Sequence, residues 1–514
     1  MNTNRTKNAS RNIIWGTINK FIMLVLPFLT RTVMIYTMGM QYVGLGSLFT
    51  SILQVLSFAE LGIGSALVFS MYKPMAEEDE ETVSALLNFY RRTYRVIGLV
   101  ILVLGLMIMP FLDKLIAKDL PSGINIYVLF SIYLLNNVLG YFLFAYKQSI
   151  LTASQRVDLI SKISMILHMV SGITQIIILI CTHNYYLYAA VVPVVTCLNN
   201  ILVGIITNKH YPQFKCKGEI DGKELGSIKK KVGGMVFQKI GSIVLSSVDT
   251  IVISAFLGLV SLALYQNYFF VIKSIFGFLA VIMQSVISSV GNSVVLETVE
   301  KNYADFKKFN FVYVWIVTWC TTALVCLYQP FMELWIGREN MLSFGMVVLF
   351  SIYFFVHKWC DILYVYQEAC GIWWETKFVP GIAAIVNLVI NIILVQFIGL
   401  PGILLSTIVA VVFIYDTGYA IVLFKTYFKR IDHGLKSYWL RQSAYFLAAI
   451  LSAVSTYLIC NIITVDSVMI HLLISTILCF IVPNIILTII WFKTPEFIEA
   501  KNLGKKLYMM KVKQ

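Results

Sequence analysis

Long apolar stretches with little or no charge recur along the whole chain, separated by short polar segments. An apolar run of about 18 residues or more is the basic sign of a helix that spans a membrane. The pattern predicts about fourteen such helices, near 13–38, 42–72, 93–113, 123–147, 160–182, 184–208, 235–257, 259–296, 310–329, 341–369, 379–398, 401–425, 440–463 and 467–492. The second and eighth stretches exceed what a bilayer needs, so we expect them to tilt or to extend beyond it.

Composition agrees with a polytopic membrane protein. Apolar residues make up 59% of the 514 residues and charged residues 13%, with a mean hydropathy of +0.81. A soluble domain carries roughly 25% charged residues. Residues 1–11 are polar and basic, and they lead directly into an apolar stretch that lacks a small-residue cleavage site. We therefore expect a first spanning helix there and not a cleaved signal peptide.

The distribution of Lys and Arg predicts the orientation. With a cytoplasmic N-terminus, 32 of the 40 Lys and Arg residues fall on the cytoplasmic side, three outside and five within spans. This is the asymmetry expected of a protein in the cytoplasmic membrane with both termini inside. The net charge of +14 is spread over many short loops, so no nucleic-acid partner is expected.

A weak internal repeat becomes visible when the sequence is shifted by 219 residues. Three pairs then align, namely Lys20 with Lys239, Gly39 with Gly258, and Leu45 with Leu264. Six helices separate the copies, so both have the same orientation, and two parallel six-helix lobes are predicted. The expected divisions are an N-lobe at 1–208, a basic cytoplasmic loop at 209–234, a C-lobe at 235–430, two further helices at 431–492 and a basic cytoplasmic tail at 493–514.

Charged residues inside the predicted spans indicate a hydrated cavity. An ionised group at membrane depth costs at least about 2.5–3.5 kcal/mol unless it faces protein or water. Lys20 and Arg31 are eleven residues apart, which places them on nearly one face of the first helix. The candidate cavity residues are Lys20, Arg31, Gln54, Lys239, Gln266, Asn267 and Lys273.

A surplus of cations in this cavity suggests an anionic substrate group such as phosphate or diphosphate. Snorkelling to lipid headgroups is the alternative for Lys20 and Lys239. Glu60 and Asp249 would be ion-pair partners, or would carry a coupling proton or cation. No resident cofactor is expected.

A second cluster in the tenth helix contains His357, Lys358, Asp361 and Glu368. A proton or sodium site at His357 and Asp361 is one interpretation, and charges at a helix end are the other. Asp416 and His168 stand alone in their helices and rank lower. The nine cysteines lie mostly in apolar segments and are expected to be small apolar side chains, although Cys320 with Cys326, or Cys360 with Cys370, could form a redox or metal site.

Several local sequences resemble those of a known transporter family. They run from Arg31 through Gly39 to Leu45, from Ser57 through Glu60 to Gly64, from Tyr146 to Gln155, and from Tyr265 to Tyr268. These blocks resemble the bacterial polysaccharide and O-antigen flippases (Wzx-type), which belong to the MOP superfamily together with MATE exporters and the lipid II flippase. The resemblance covers about the first 300 residues and beyond them rests mainly on the helix count.

The resemblance implies a flippase for undecaprenyl-diphosphate-linked oligosaccharides in surface polysaccharide biosynthesis. It also implies alternating access around a basic cavity, to which Arg31 and Lys273 would contribute. The two last helices would border a groove for the lipid tail. A polysaccharide polymerase is an expected partner, besides the lipid substrate and the bilayer.

Three other functions are alternatives to this one. A cation-coupled multidrug exporter should carry more acids than bases in its cavity, and here the bases outnumber the acids. A lipid II flippase would share the helix count. A membrane glycosyltransferase or polymerase normally needs a sizeable loop outside the membrane, and the longest loop, at 209–234, is short and rich in lysine.

Overall fold

The computed structural model describes residues 5–57, 63–220, 222–463 and 465–502, and these are helical with short connections and without strands. The chain forms two compact units, Met1–Gln266 and Asn267–Gln514. The first ten helices are α1 (Arg5–Thr37), α2 (Met40–Leu56), α3 (Ile63–Ala76), α4 (Glu80–Ile108), α5 (Ile126–Phe142), α6 (Gln148–Ala153), α7 (Val157–Thr182), α8 (Tyr185–His210), α9 (Gly222–Leu257) and α10 (Leu259–Leu296). The others are α11 (Val299–Ile336), α12 (Phe344–Lys358), α13 (Asp361–Ala369), α14 (Trp373–Thr376), α15 (Val379–Ile398), α16 (Leu400–Val409), α17 (Thr417–Thr426), α18 (Gly434–Ile462) and α19 (Val468–Trp491).

Within the described residues, 12 helices are long and apolar enough to cross a membrane, and the bent pair α5 and α6 brings the number to 13. The predicted helix at 42–72 corresponds to α2 and α3, which lie on either side of the undescribed residues 58–62. The prediction of an all-α polytopic membrane protein is therefore confirmed.

Several helices begin earlier in the chain than the hydropathy pattern predicted. Asp79 caps α4 by accepting a hydrogen bond from the Thr82 amide at 2.9 Å, and Thr298 caps α11 through the Lys301 amide at 3.3 Å. Such caps satisfy amides at a helix N-terminus, and the bond to Thr82 lowers the pKa of Asp79. Residues 222–234, predicted as part of a basic loop, belong to α9.

Three predicted spans are interrupted within their apolar runs. The α5 and α6 axes differ by 46°, and Phe144 between them has a left-handed backbone with φ 47°. Trp359 and Cys360 separate α12 from α13. A π-helical segment, Ala410–Asp416, joins α16 to α17. Broken or π-bulged spanning helices commonly mark functional sites, because they free backbone groups and reposition side chains.

The repeated helix pairs have matching backbone geometry. Gly39 precedes α2 with φ 104°, and Gly258 precedes α10 with φ 90°. The first residues of these two helices, Met40 and Leu259, are 219 positions apart, as the sequence alignment requires. The two pairs also touch, because a Cβ on Gly44 would lie only 2.1 Å from the carbonyl oxygen of Leu259.

Contacts between loops in the first unit agree with the predicted alternation of sides. Asn12 in α1 donates to the Gln155 carbonyl at 3.1 Å and accepts from the Asp158 amide at 2.8 Å, which joins the N-terminal segment to the start of α7, both predicted to be cytoplasmic. The Ala117 amide donates to the Ser254 carbonyl at 3.0 Å, close to the ends of two loops predicted to be external. These contacts join segments that were predicted to lie on the same side of the membrane. Which side is cytoplasmic stays a prediction.

In the second unit, the two C-terminal helices α18 and α19 pack against α11 and against each other. Two tryptophans of α11 hold α19 through polar contacts. Trp315 donates to Asn484 Oδ1 at 2.7 Å, and Trp319 donates to the carbonyl of Cys479 at 2.8 Å. The predicted lipid-tail groove at these helices stays a prediction.

Candidate functional site

The first unit has an open polar cavity of about 800 Å³ between α3, α4, α5, α6 and α8. Tyrosines, amides and hydroxyls dominate its wall. The lining residues include Tyr72, Tyr90, Tyr94, Asn136, Asn137, Tyr141, Gln148, Ser149, Thr152, Thr196 and Asn200. Among the described residues that line it, none is ionised at neutral pH. The cavity therefore offers many neutral hydrogen-bonding groups in the membrane-spanning part of the protein.

The bend between α5 and α6 positions one wall of this cavity. After α5 ends at Phe142, a short 3₁₀ turn at Ala145–Lys147 redirects the chain into α6. As a result Gln148, Ser149 and Thr152 face the cavity instead of continuing the axis of α5. These residues lie in a segment whose sequence resembles the flippase family.

Hydrogen bonds hold the polar side chains of the wall in place. Thr196 donates to Asn136 Oδ1 at 2.7 Å, and Ser57 donates to Asn137 Oδ1 at 3.3 Å. Both amides use their oxygen in these bonds, so each NH₂ group remains a donor for another partner. Asn200 donates to the Gly140 carbonyl at 3.3 Å. The wall thus holds Asn136 and Asn137 in fixed positions, with their NH₂ groups able to donate.

The predicted cations lie elsewhere. Arg31 is half-buried on α1, which packs along α7, and it is an electrostatic neighbour of Tyr188 on α8. Lys20 and Lys239 are exposed, at positions related by the repeat. Lys273 on α10 is also exposed, and its Nζ lies 5.1 Å from the centroid of the Phe269 ring. None of these four is among the residues that line the cavity.

The predicted neutral residues divide between surface and interior. Gln54 on α2 is exposed. Gln266 is buried and donates from Nε2 to Thr250 Oγ1 at 2.8 Å, which links α10 to α9. Asn267 is fully buried. Their roles in substrate binding stay predictions.

Of the two acidic residues predicted in the repeat copies, Asp249 lies in the described part of the chain. Asp249 is buried on α9 and accepts from the Tyr265 hydroxyl of α10 at 3.4 Å. Glu60 lies outside the described residues. Asp249 therefore contributes to the contact between the two helices of the second repeat copy.

His357 and Asp361 bond to different groups. His357 Nδ1 lies 3.1 Å from the Tyr353 carbonyl, and its ring stacks on the Tyr353 ring at 4.0 Å. Asp361 accepts from Lys358 Nζ at 2.9 Å and from the Tyr313 hydroxyl at 2.5 Å. The break between α12 and α13 separates His357 from Asp361. Lys358, and not His357, compensates the charge of Asp361.

Asp416, which ranked low among the candidates from the sequence, is a buried acid that two neutral donors hold in the second unit. It is fully buried at the end of the π-helical segment. Trp359 donates to its Oδ2 at 2.7 Å, and the Tyr364 hydroxyl donates to its Oδ1. These donors flank the break between α12 and α13. An isolated Asp in an apolar run was the only signal in the sequence, because its partners come from a distant segment.

Comparison with known proteins gives a fold but no sequence family. No protein-family model matches the chain, and no curated protein sequence matches it. The lipid II flippase MurJ, in an inward closed conformation, aligns with a TM-score of 0.67 at 17% identity, over 93% of this chain and 99% of the MurJ chain. An inward-facing multidrug-resistance MATE transporter of the MOP superfamily aligns with a TM-score of 0.60 at 12% identity, over 84% of this chain and 98% of the other.

A MATE transporter from Vibrio cholerae gives a TM-score of 0.55 at 13% identity, over 84% of this chain and 99% of the other. At these identities the likeness concerns the fold. The chain thus has a MurJ- and MATE-like fold, as the sequence predicted. Its narrower resemblance to Wzx-type flippases stays a prediction.

Proposed function

We propose that this protein is a flippase that moves an undecaprenyl-diphosphate-linked oligosaccharide from the inner to the outer leaflet of a bacterial cytoplasmic membrane. The product would serve surface polysaccharide biosynthesis. The observation that carries the proposal is the polar cavity of the first unit, whose described lining residues are all uncharged. Transport would proceed by alternating access, with the prenyl chain left in the lipid.

The chemistry of the cavity suits a sugar. Sugars present many hydroxyl groups without net charge, and they are recognised by side chains that donate and accept at fixed positions. Asn136, Asn137 and Gln148 supply such groups, and Tyr90 and Tyr94 add hydroxyls together with apolar ring surface. A cationic drug would instead gain from a carboxylate, and the described part of the wall contains none.

The diphosphate requires positive charge, and Arg31 on α1 is the predicted cation that we assign to it, although it does not line the cavity. A guanidinium presents a planar fork that matches phosphate oxygens. A half-buried arginine in a spanning helix also has to face protein or water to offset the cost of its desolvation. We propose that Arg31 contacts the diphosphate during transport and that Lys273 supplies a second contact.

The membrane potential can drive this movement. An inside-negative potential favours the outward movement of an anion by about 2.3 kcal/mol per charge for each 100 mV. Coupling to an ion is therefore not required by this proposal.

The fold likeness also supports a lipid-linked substrate, since the MurJ structure with which this chain aligns is that of a lipid II flippase.

One observation favours a second candidate, a proton- or sodium-coupled exporter. Asp416 is a carboxyl group buried in the second unit and bonded to the neutral donors Trp359 and Tyr364. A buried carboxyl without a cation in direct contact can take up a proton or a cation at low electrostatic cost. The likeness to MATE transporters agrees with this alternative as well.

Reconstitution in liposomes tests the proposal. A fluorescent undecaprenyl-diphosphate oligosaccharide is placed in one leaflet, and its arrival in the other leaflet is followed by quenching. The wild-type protein should move it, and Asn136→Leu should lower the rate by about 10-fold, which corresponds to one lost hydrogen bond in a buried polar site. Asn484→Leu, a spanning asparagine outside the cavity, serves as the matched control.

The opposite result would be ion-driven efflux of a cationic dye without movement of the lipid. It would replace the flippase with the exporter and make Asp416 the central residue. Equal losses in Asn136→Leu and Asn484→Leu would show that helix packing and not the cavity determines the rate.

A further inference from the structure

Three cysteines from three different helices meet in the second unit. Cys326 lies on α11, Cys460 near the end of α18, and Cys479 on α19. Their sulfur atoms all lie within 4.8 Å of one another, and their exposed fractions are 5%, 2% and 1%. The side chains packed around them are apolar, namely those of Ala323, Leu327, Tyr457 and Leu478. The sequence did not reveal this cluster, because the three residues are far apart in the chain.

The spacing of the sulfurs suits three-coordinate binding of a single atom. A pyramidal three-coordinate centre with bonds of about 2.3 Å to sulfur and angles of about 100° places its ligands roughly 3.5 Å apart. The three sulfurs lie within 4.8 Å of one another, so side-chain rotations that move each sulfur by less than about 1 Å bring them into range. Zinc sites normally complete a tetrahedron, and Cys460 has two polar neighbours on α19: the Ser475 hydroxyl, which is a poor fourth ligand, and His471, which is a good one. A neutral histidine adds no charge, so the charge of the three sulfurs decides between zinc and other ions.

The net charge of the site with its ion bound then determines which sulfur-binding ion it favours. The cluster lies within spanning helices, where net charge is costly. Three thiolates carry three negative charges, so a monovalent or divalent ion would leave the bound site negative. A trivalent centre leaves it neutral.

We propose that Cys326, Cys460 and Cys479 form a buried binding site for trivalent arsenic, delivered as uncharged arsenous acid. The reaction breaks three As–O bonds and three S–H bonds, and it forms three As–S bonds and releases three water molecules. No oxidation state changes, and no net proton is taken up or released. The bound atom ties α18 and α19 to α11 and thereby fixes the two C-terminal helices to the second unit.

The test uses the full-length protein, reduced and purified in detergent, with arsenite as the probe. Elemental analysis should give one arsenic per chain. Because no proton is released, the affinity should stay constant across neutral pH, and the melting temperature should rise with arsenite concentration.

Single substitutions identify the ligands. Even a residue that only supports a metal ligand changes affinity by about 10–100-fold, so Cys326→Ser, Cys460→Ser and Cys479→Ser should each weaken arsenite binding by at least about 10-fold. Cys320→Ser is the matched control, a buried cysteine on the same helix and outside the cluster. Alanine variants at the same three positions replace any serine variant that does not fold.

Three results would overturn the proposal. Binding that survives all three cluster substitutions would place the arsenic elsewhere. Tighter binding of Zn²⁺ than of arsenite would contradict the charge argument. A disulfide between two of the three cysteines that persists in reductant would show that the cluster is a covalent link and not an ion site.

Discussion

The two copies of the internal repeat, α1 with α2 and α9 with α10, share a backbone but differ in where they carry charge. Both place a glycine with positive φ between their helices, and α2 and α10 start at equivalent residues. At the position of Arg31, however, the second copy has Thr250. At the position of Lys273, the first copy has Gln54.

The difference between the copies distinguishes residues that the fold requires from residues that the fold leaves free to vary. The glycines are retained because the sharp connection needs a backbone conformation that other residues adopt at a cost. The cations are not fixed by the scaffold, since each copy folds with a neutral residue where the other has a charge. Lys20 and Lys239 are the exception, because both copies carry a lysine there. This pattern agrees with the proposal that Arg31 and Lys273 serve the substrate and not the fold.

The largest expected effect is on transport by the unshared cations. Arg31→Gln and Lys273→Gln should each lower the rate of lipid movement by roughly 10- to 100-fold, since a hydrogen bond to a charged group contributes about 1.5–3 kcal/mol. Gln54→Leu, at the position equivalent to Lys273, should cost less than Lys273→Gln. Rates are measured in liposomes, with the loop variant Arg338→Gln as control. Equal losses at positions 54 and 273 would erase the distinction between the copies.

A second effect concerns the contact between the copies. Gly44→Ala should lower the free energy of unfolding by about 3 kcal/mol or more, because its Cβ would collide with the Leu259 carbonyl. The equivalent residue of the second copy, Ala263, already carries a Cβ. Gly277→Ala, with no heavy atom within 4 Å of its Cβ, is the control. Thermal unfolding in detergent measures both, and equal stability of the two variants would refute the contact.

The interhelix glycines sharpen the comparison further. Gly39→Ala and Gly258→Ala should each cost about 1–3 kcal/mol through backbone strain. The second should cost more, because a Cβ on Gly258 would also meet Lys118 Cγ at 2.5 Å. The same unfolding assay ranks them. A smaller loss for Gly258→Ala would mean that the Lys118 side chain moves away freely.

The smallest effect is expected at the shared lysines. Lys20→Gln and Lys239→Gln should change the transport rate by less than about 5-fold, because exposed charges contribute about 1 kcal/mol or less. Transport in liposomes again provides the measurement. A loss as large as that of Arg31→Gln would show that these lysines belong to the substrate site.

The sequence predicted the spanning helices well where a local signal marked their ends. The bounds predicted for the helices at 259–296 and 379–398 match α10 and α15, since glycine precedes the first and follows the second. The breaks at Phe144 and at Trp359 were not predicted. They lie within continuous apolar runs, where the hydropathy pattern carries no information about a change of axis.

The neutral cavity also escaped prediction, for a related reason. Its wall combines side chains from five helices, such as Tyr90, Asn136 and Asn200, and none is unusual in its own segment. Charges in spanning helices are conspicuous, so the sequence drew attention to Arg31 and Lys273. Neutral amides are not conspicuous, and only the fold brings them together.

A binding measurement on the purified protein, with a short-chain polyprenyl-diphosphate oligosaccharide as ligand, tests the proposed function most directly. We expect saturable binding that weakens by at least about 10-fold when the diphosphate is removed from the ligand or when Arg31 is changed to Gln. Arg338→Gln should bind normally. Equal affinity for the ligand with and without its diphosphate would contradict the claim that this protein recognises a lipid-linked sugar by its charge.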